Sequence, residues 1–295
     1  MNSATVPSLE EFLLTPIQEI AKVAPTTMVY APGGTRRQAV FTGIEPWSDH
    51  YVEWGRERIL DQIDLIFRHG VRNLIVIAFT PGNVKETDRY RPQLFERAKW
   101  VFGGAESLAR YTRSEWRVRL LGAESVPELA STAAHLRTAT LAQSEHTLYW
   151  SVVPDAESPW QELLAAARRT QLHTRAEAMC ELYGEEIPPA TLYLAFGKPL
   201  ISLELIPPLL VGQIQCYWYQ KAGYTLTDLQ LRTILHDYAY LRPTWREEKL
   251  ERAKQALPDR KAWEEAPMLG LGMRLGPFWY PAPMSSPAWP TDQES

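Results

Sequence analysis

Residues Asn73 to Phe79 read Asn-Leu-Ile-Val-Ile-Ala-Phe, apolar at every position after the first. A strand with one wet face alternates apolar with polar side chains, so an unbroken run describes a strand buried on both faces. Such strands lie inside parallel sheets with helices packed above and below. The flanking pattern agrees. Tyr51 to His69 reads as a helix, with Ile59, Ile63, Ile66 and Phe67 at helical spacing and Gly70 as a stop. Thr26 to Tyr30 reads as the first strand. Trp116 to Leu121, His146 to Val153, Thr191 to Phe196 and Ile214 to Tyr219 read as further strands.

Pro159 to Thr170 and Thr174 to Tyr183 read as helices between them, the second ending at Gly184. Thr227 opens a late helix as its N-cap with Gln230 as capping-box partner, and Leu231, Ile234, Leu235, Tyr238 and Leu241 form its inner face. Strands alternating with helices predict an α/β fold with one mostly parallel central sheet flanked by helices. No repeat and no clear linker divides the chain. The expectation is a single domain over 1–295, with an ordered core over about 9–280 and a tail at 281–295. Trp245 to Ala256 reads as a charged helix and Pro277 to Pro290 as a Pro- and Trp-rich surface wrap.

Charge narrows the partners. A net charge of −4 creates no broad field for nucleic acid or anionic lipid, so any anion site must be built locally. No apolar run is long enough to span a membrane. Met1 to Lys22 mixes Glu10, Glu11 and Glu19 with its apolar residues, unlike a signal peptide. Cys180 and Cys216 are the two cysteines, which suggests neither a disulfide framework nor a zinc site. A cytoplasmic protein fits these features.

Four segments carry chemistry. Pro32-Gly33-Gly34-Thr35-Arg36-Arg37 follows the first strand, at the edge where open α/β sheets bind ligands. Glycines admit a phosphate close to the backbone, and Arg36 and Arg37 could clamp its oxygens, each charge-assisted bond contributing roughly 1.5–3 kcal/mol. A surface turn with two solvated arginines has the same spacing. The loop Phe79-Thr80-Pro81-Gly82-Asn83, then Thr87-Asp88-Arg89-Tyr90, leaves the same edge; Arg89 could add a phosphate contact and Tyr90 a hydroxyl. Ser48-Asp49-His50-Tyr51 opens the long helix, with Asp49 read equally well as a cap and His50 as a surface residue. His236-Asp237 could pair as acid and base, but adjacent helix positions do not face each other, so packing is the better reading. There is no Asp-Asp-x-x-Asp cluster, no P-loop, no GxSxG elbow and no Gly-x-Gly-x-x-Gly.

The order of these segments resembles the cis-prenyltransferase (undecaprenyl diphosphate synthase) superfamily. That family opens with Asp-Gly-Asn-(Gly/Arg)-Arg-Trp-Ala, where this chain has Gly33-Gly34-Thr35-Arg36-Arg37-Gln38-Ala39. Its strand ending Ala-Phe-Ser corresponds to Ala78-Phe79-Thr80. The nearer resemblance is to a divergent diterpene-synthase branch, the tuberculosinol and kolavelool synthases. It is carried by Gly34-Thr35-Arg36-Arg37, Tyr51, Arg68-His69-Gly70, Asp88-Arg89-Tyr90, Tyr183-Gly184-Glu185, Phe196-Gly197-Lys198, Tyr240-Leu241-Arg242 and Gly276 to Tyr280. Chain-elongating members carry Arg-Thr-Gly-Gly and a later Arg-x-Ser for a second diphosphate; Ala195-Phe196-Gly197-Lys198 and Ile201-Ser202-Leu203 stand here instead.

The resemblance implies one-substrate chemistry on a bicyclic diterpene diphosphate, kolavenyl diphosphate first among the candidates, supplied by a class II diterpene cyclase. It implies diphosphate binding by Gly33, Gly34, Thr35, Arg36, Arg37 and Arg89, and catalysis by Arg36, Arg37, Tyr51 and Tyr90. Either tyrosine would orient or deprotonate the quenching water, though a tyrosine phenol titrating near ~10 is a weak base at neutral pH and the departing diphosphate could take the proton. The product would be a tertiary diterpene alcohol such as kolavelool. It also implies a homodimer and Mg²⁺, although Gly33 stands where the family has its aspartate; Asp49, Asp88 and Glu204 are candidate substitutes, and the metal ligands stay unassigned. The alternatives are a chain-elongating cis-prenyltransferase and a non-catalytic partner subunit.

Overall fold

The computed structural model describes residues 6–46, 48–85, 91–197, 201, 206–242, 254, 257–258, 260–264, 271–275 and 278–281. The chain forms two compact units, Met1–Leu241 and Arg242–Ser295. In the first, six strands make one sheet: β1 (Thr27–Ala31), β2 (Asn73–Phe79), β3 (Arg117–Leu121), β4 (Thr147–Val152), β5 (Ala190–Phe196) and β6 (Val211–Tyr219). Their order is β3-β4-β2-β1-β5-β6 and every pairing is parallel.

The apolar run at Asn73–Phe79 is β2, near the middle of this sheet, and its side chains alternate between two cores. Leu74 and Val76 join the core that also holds Met28 and Tyr30 of β1 and Leu192, Leu194 and Phe196 of β5. Ile75 and Ile77 join the core of Val29, Tyr193 and Ala195 on the opposite face. Full burial of each such side chain is worth roughly 1.5–3 kcal/mol.

Helices cover both faces: α1 (Leu9–Leu14), α2 (Ile17–Ile20), α3 (Thr35–Phe41), α4 (Asp49–Arg68), α5 (Pro81–Lys85), α6 (Arg91–Gly103), α7 (Ala105–Arg113), α8 (Ala130–Ala139), α9 (Ser158–Arg169), α10 (Arg175–Tyr183) and α11 (Asp228–His236). Core residues of α1, α4, α6, α7, α8 and α11 belong to the first cluster, and Met179 of α10 to the second. The capping boxes have local causes. Thr227 accepts from the Gln230 N–H at 3.3 Å and Gln230 Oε1 accepts from the Thr227 N–H at 2.9 Å, as its sequence predicts.

Three differences from the sequence pattern are physical. The periodicity assigns no helix to α6, where Phe95, Ala98 and Phe102 are buried in the core and Leu94 and Val101 pack against that core while lining a cavity. Leu241, expected on an inner face, is exposed. Asp237–Leu241 forms a π-helical turn after α11, and its wider winding rotates the following residues off the 3.6-residue period. The third lies in the second unit. Phe278–Pro281, read as part of a Pro- and Trp-rich surface wrap, is strand β8 and pairs antiparallel with β7 (Gly272–Leu275). That unit also holds a short helix, α12 (Arg260–Glu264), braced by the Arg260 Nε to Glu264 Oε1 bond of 2.7 Å. The expected helix from Trp245 to Ala256 and the tail lie, apart from residues 254 and 281, outside the described residues. No helix among the described residues is long and apolar enough to cross a membrane.

Candidate active site

The chain leaves β1 toward β2 on one side and returns, through β5, to the other. The sheet's switch point is therefore between β1 and β5, where α/β sheets open a crevice at the carboxyl ends of their strands. A cavity of about 680 Å³ opens there. Ala31, Ala195 and Phe196 line it from the ends of β1 and β5, and Ala78 and Phe79 from the end of β2. Two helices form its walls. On α4, Tyr51, Gly55 and Ile59 follow one another at four-residue spacing, with Val52 and Arg56 beside them; on α6, Leu94, Arg97, Ala98 and Val101 share one face. Phe102 and Trp150 complete an apolar wall, their rings 4.9 Å apart.

One end of the cavity is built from backbone. After β1 the chain turns at Pro32-Gly33-Gly34; the Gly33 N–H donates to the Ala31 carbonyl at 2.9 Å, and Gly34 takes a φ of +76° before α3 begins. A Cβ on Gly33 would overlap the Phe196 carbonyl oxygen. The glycine thus serves an approach between two protein segments, in addition to any approach to a ligand. Thr35 and Tyr51 face each other there, their hydroxyls 3.0 Å apart. Ser48 is the N-cap of α4, accepting from the Tyr51 N–H at 3.1 Å, which fixes where Tyr51 leaves the helix. Asp49 and His50 beside it are exposed.

The two arginines of the bend part company because Thr35 starts a helix, where neighbours diverge by about 100°. Arg36 lines the cavity and is half-buried. Arg37 is exposed, outside the lining, with its Nη2 lying 3.0 Å from where a Cβ on Gly34 would stand. Thr80 lines the cavity from the β2 loop; its N–H and its hydroxyl both donate to Asn83 Oδ1, at 3.0 and 2.9 Å. Asp88, Arg89 and Tyr90, expected beside them, lie outside the described residues, as does Glu204. His236 and Asp237 belong to packing: His236 Nε2 sits 2.8 Å from the Pro7 carbonyl, its ring lies among Phe12 and Tyr240, and Asp237 accepts from the Tyr217 hydroxyl at 2.6 Å.

Three lining residues escape the sequence motifs. Arg56 is buried, with its Nη1 3.1 Å from Glu106 Oε2 and its guanidinium 4.1 Å over the Trp100 ring. Arg97 adds a third cation from α6. Tyr224 enters from the loop after β6. For Arg56 a signal existed, since it lies one turn beyond Val52 on the helix that carries Tyr51. Among the described residues no lining residue is an aspartate or glutamate, and those that line the cavity pair cations and hydroxyls with an apolar wall. That set can hold an anion joined to a hydrocarbon.

A magnesium ion held from position 33 does not fit. Gly33 offers no ligand, and its Cβ direction is closed by the Phe196 carbonyl. Among the described residues no three of His, Cys, Asp and Glu cluster so as to hold a metal ion.

Comparison with known proteins places these features. The chain is 43% identical over 276 residues to the (+)-kolavelool synthase of Herpetosiphon aurantiacus, covering 93% of this chain and 96% of that protein. It is 27% identical over 250 residues to the tuberculosinyl adenosine transferase of Mycobacterium tuberculosis, covering 80% and 83%. Among solved structures it resembles lavandulyl diphosphate synthase from Lavandula x intermedia in complex with dimethylallyl diphosphate, at 13% identity and a TM-score of 0.58 over 74% of this chain and 97% of that one. A probable undecaprenyl diphosphate synthase from Campylobacter jejuni matches at 14% identity and a TM-score of 0.55, over 76% and 97%. At such identities these two structures show the fold, which is that of the cis-prenyltransferases. No model of a known protein family matches the chain.

Proposed function

This chain belongs to the family of the kolavelool synthase, on the cis-prenyltransferase fold, and on that premise we propose that it is a diterpene synthase. It ionises a bicyclic diterpene diphosphate, kolavenyl diphosphate or a close relative, and quenches the allylic cation with water to release a tertiary diterpene alcohol of the kolavelool type. The observation that carries this reading is the cavity: among the described residues, three guanidiniums, the Thr35–Tyr51 hydroxyl pair and no lining carboxylate, beside an apolar wall in about 680 Å³. Such a space suits one anionic head and one bulky hydrocarbon body.

In this mechanism Arg36 and the Gly34–Thr35 backbone grip the diphosphate, Arg37 approaches from outside the lining, and Arg89 contributes a further charge. The allylic C–O bond breaks and its electron pair leaves with the diphosphate, whose developing charge the fixed cations stabilise. Water adds through oxygen to the tertiary allylic carbon and then loses a proton. Tyr51, tied to Thr35, orients that water together with Tyr90; the departed diphosphate takes the proton, being the stronger base at neutral pH. These steps use the chain's own residues; Asp88 and Glu204, candidates for holding magnesium, lie outside the described residues. On this reading 1–295 works as one cis-prenyltransferase-like domain, in the cytoplasm and as a homodimer, with a class II diterpene cyclase supplying the substrate.

The retained guanidiniums and hydroxyls weigh against a non-catalytic subunit, which would have no use for them. The missing second arginine cluster weighs against chain elongation. Incubating purified protein with kolavenyl, halimadienyl and geranylgeranyl diphosphates, with and without magnesium, and identifying extracted products by mass spectrometry tests the reading. A tertiary diterpene alcohol plus free diphosphate is expected. Unchanged substrate throughout refutes it, and longer chains on adding isopentenyl diphosphate would favour elongation.

A further inference from the structure

The loop after β6 is tied to the glycine bend by backbone alone. The Gly223 N–H donates to the Gly33 carbonyl at 2.6 Å, and a Cβ on Gly223 would come within 2.7 Å of the Pro32 carbonyl carbon. That contact commits the next residue. Tyr224 has a φ of +77°, a left-handed conformation that is strained for a bulky side chain. What the strain secures is direction. Tyr224 lines the cavity, and its ring meets that of Trp54 at 66°, with centroids 5.7 Å apart; Trp54 in turn lies 6.0 Å from the Tyr51 ring.

We infer that Tyr224 is a catalytic residue whose ring face takes up the positive charge that forms as the diphosphate departs. The inference rests on the proposed ionisation. The cation appears on the carbon that has just lost its oxygen, so it forms beside the group that holds the diphosphate. Tyr224 follows directly on the residue bonded to Gly33 in that bend. Among the described residues the lining contains three guanidiniums and no carboxylate, so these residues offer the carbocation no anionic wall. A carboxylate there would itself be alkylated; an aromatic face stabilises a cation without bonding to it. The Tyr224 phenol does not act as a base. Burial, and then the neighbouring Tyr51 and Tyr30 phenols, hold it far above the ordinary tyrosine range, so it stays protonated.

The test compares Tyr224→Phe, which keeps the face, with Tyr224→Leu, which keeps an apolar side chain without it. With kolavenyl diphosphate, Tyr224→Phe is expected to hold kcat within about threefold, while Tyr224→Leu loses roughly tenfold in kcat at unchanged KM. Because the leucine variant could fold poorly, a second series places phenylalanine, 4-fluorophenylalanine and 3,4,5-trifluorophenylalanine at position 224. Ring size barely changes while the face loses its negative potential, and log kcat should fall with each fluorine. A flat fluorine series, or a folded leucine variant as fast as wild type, overturns the inference and leaves the proposed function standing. A wild-type enzyme that turns over none of the diphosphates overturns both.

Discussion

The two ends of the cavity are made from different materials. At the glycine bend, backbone meets backbone: Gly33 lies against the Phe196 carbonyl, and Gly223 against Pro32 and Gly33. Elsewhere in the cavity Ile59, Val76, Leu94, Ala98, Val101, Phe102 and Trp150 line it, with Arg56 and Arg97 on the same two helices. Backbone contact leaves no room for an added atom at Gly33, so the glycine bend is held in one geometry. A side-chain wall can be resized while the chain stays put. On the proposed function, the contrast gives the chemistry to the bend and the choice of hydrocarbon skeleton to the wall. It also explains how the bend does without an aspartate: the space a side chain at position 33 would enter is taken by β5.

The largest effect should come from one methyl group at the backbone end. Gly33→Ala drives a Cβ into the Phe196 carbonyl, and since neither partner is a flexible side chain, the bend must move. Displacement by about 1 Å costs on the order of 100-fold in rate, and kcat/KM should fall by at least that while far-UV circular dichroism stays native. Gly33→Asp should be no better at any magnesium concentration. An aspartate variant that gains magnesium-dependent activity would break the comparison, because the backbone would then have shown room to give.

Arg36→Ala should come next. Removing one charge-assisted contact of roughly 1.5–3 kcal/mol predicts a loss of about 10- to 150-fold in kcat/KM. Inhibition by inorganic diphosphate should weaken in parallel. Arg37→Ala, outside the lining, should lose clearly less. Equal losses at the two positions would restore the twin clamp that the sequence suggests.

That divergence marks what a sequence can and cannot say. The strands were legible because burial on both faces leaves a local signature: β2 spans the residues its apolar run indicates. The Thr227 capping box was legible for the same reason, its partners being three residues apart. Arg36 and Arg37 could not be separated, because their divergence depends on a helix starting at Thr35 with no side-chain cap to announce it. Arg97 and Tyr224 were hidden further. Nothing in α6 tells which of its apolar sides meets the cavity, and the φ of Tyr224 follows from Gly223 touching a loop nearly two hundred residues earlier. Gly33 was read as making way for a phosphate; the carbonyl it also makes way for belongs to Phe196, on another strand.

Tyr51→Phe removes one hydroxyl and leaves the ring beside Trp54. Loss of a single neutral hydrogen bond, about 1 kcal/mol, predicts roughly a five- to tenfold fall in kcat with little change in KM. If KM rises and kcat holds, the hydroxyl serves the diphosphate and not the water.

The smallest effect on rate should come from the side-chain wall. Ala98 is buried on α6 and faces the cavity, so Ala98→Leu adds bulk without touching the bend. Its excess volume reduces the room for a fused ring system more than for a linear chain that can fold around it. Discrimination by a few methylenes is worth roughly 1–3 kcal/mol. The kcat for whichever diphosphate still binds should therefore stay within about threefold of wild type, while kcat/KM for the bicyclic substrate falls about tenfold relative to geranylgeranyl diphosphate. Competition between the two diphosphates in one vessel reads this ratio directly. A variant that slows both equally would mean that the wall transmits its strain to the head-group end through α6, and the division between a fixed chemical end and an adjustable hydrocarbon end would not hold.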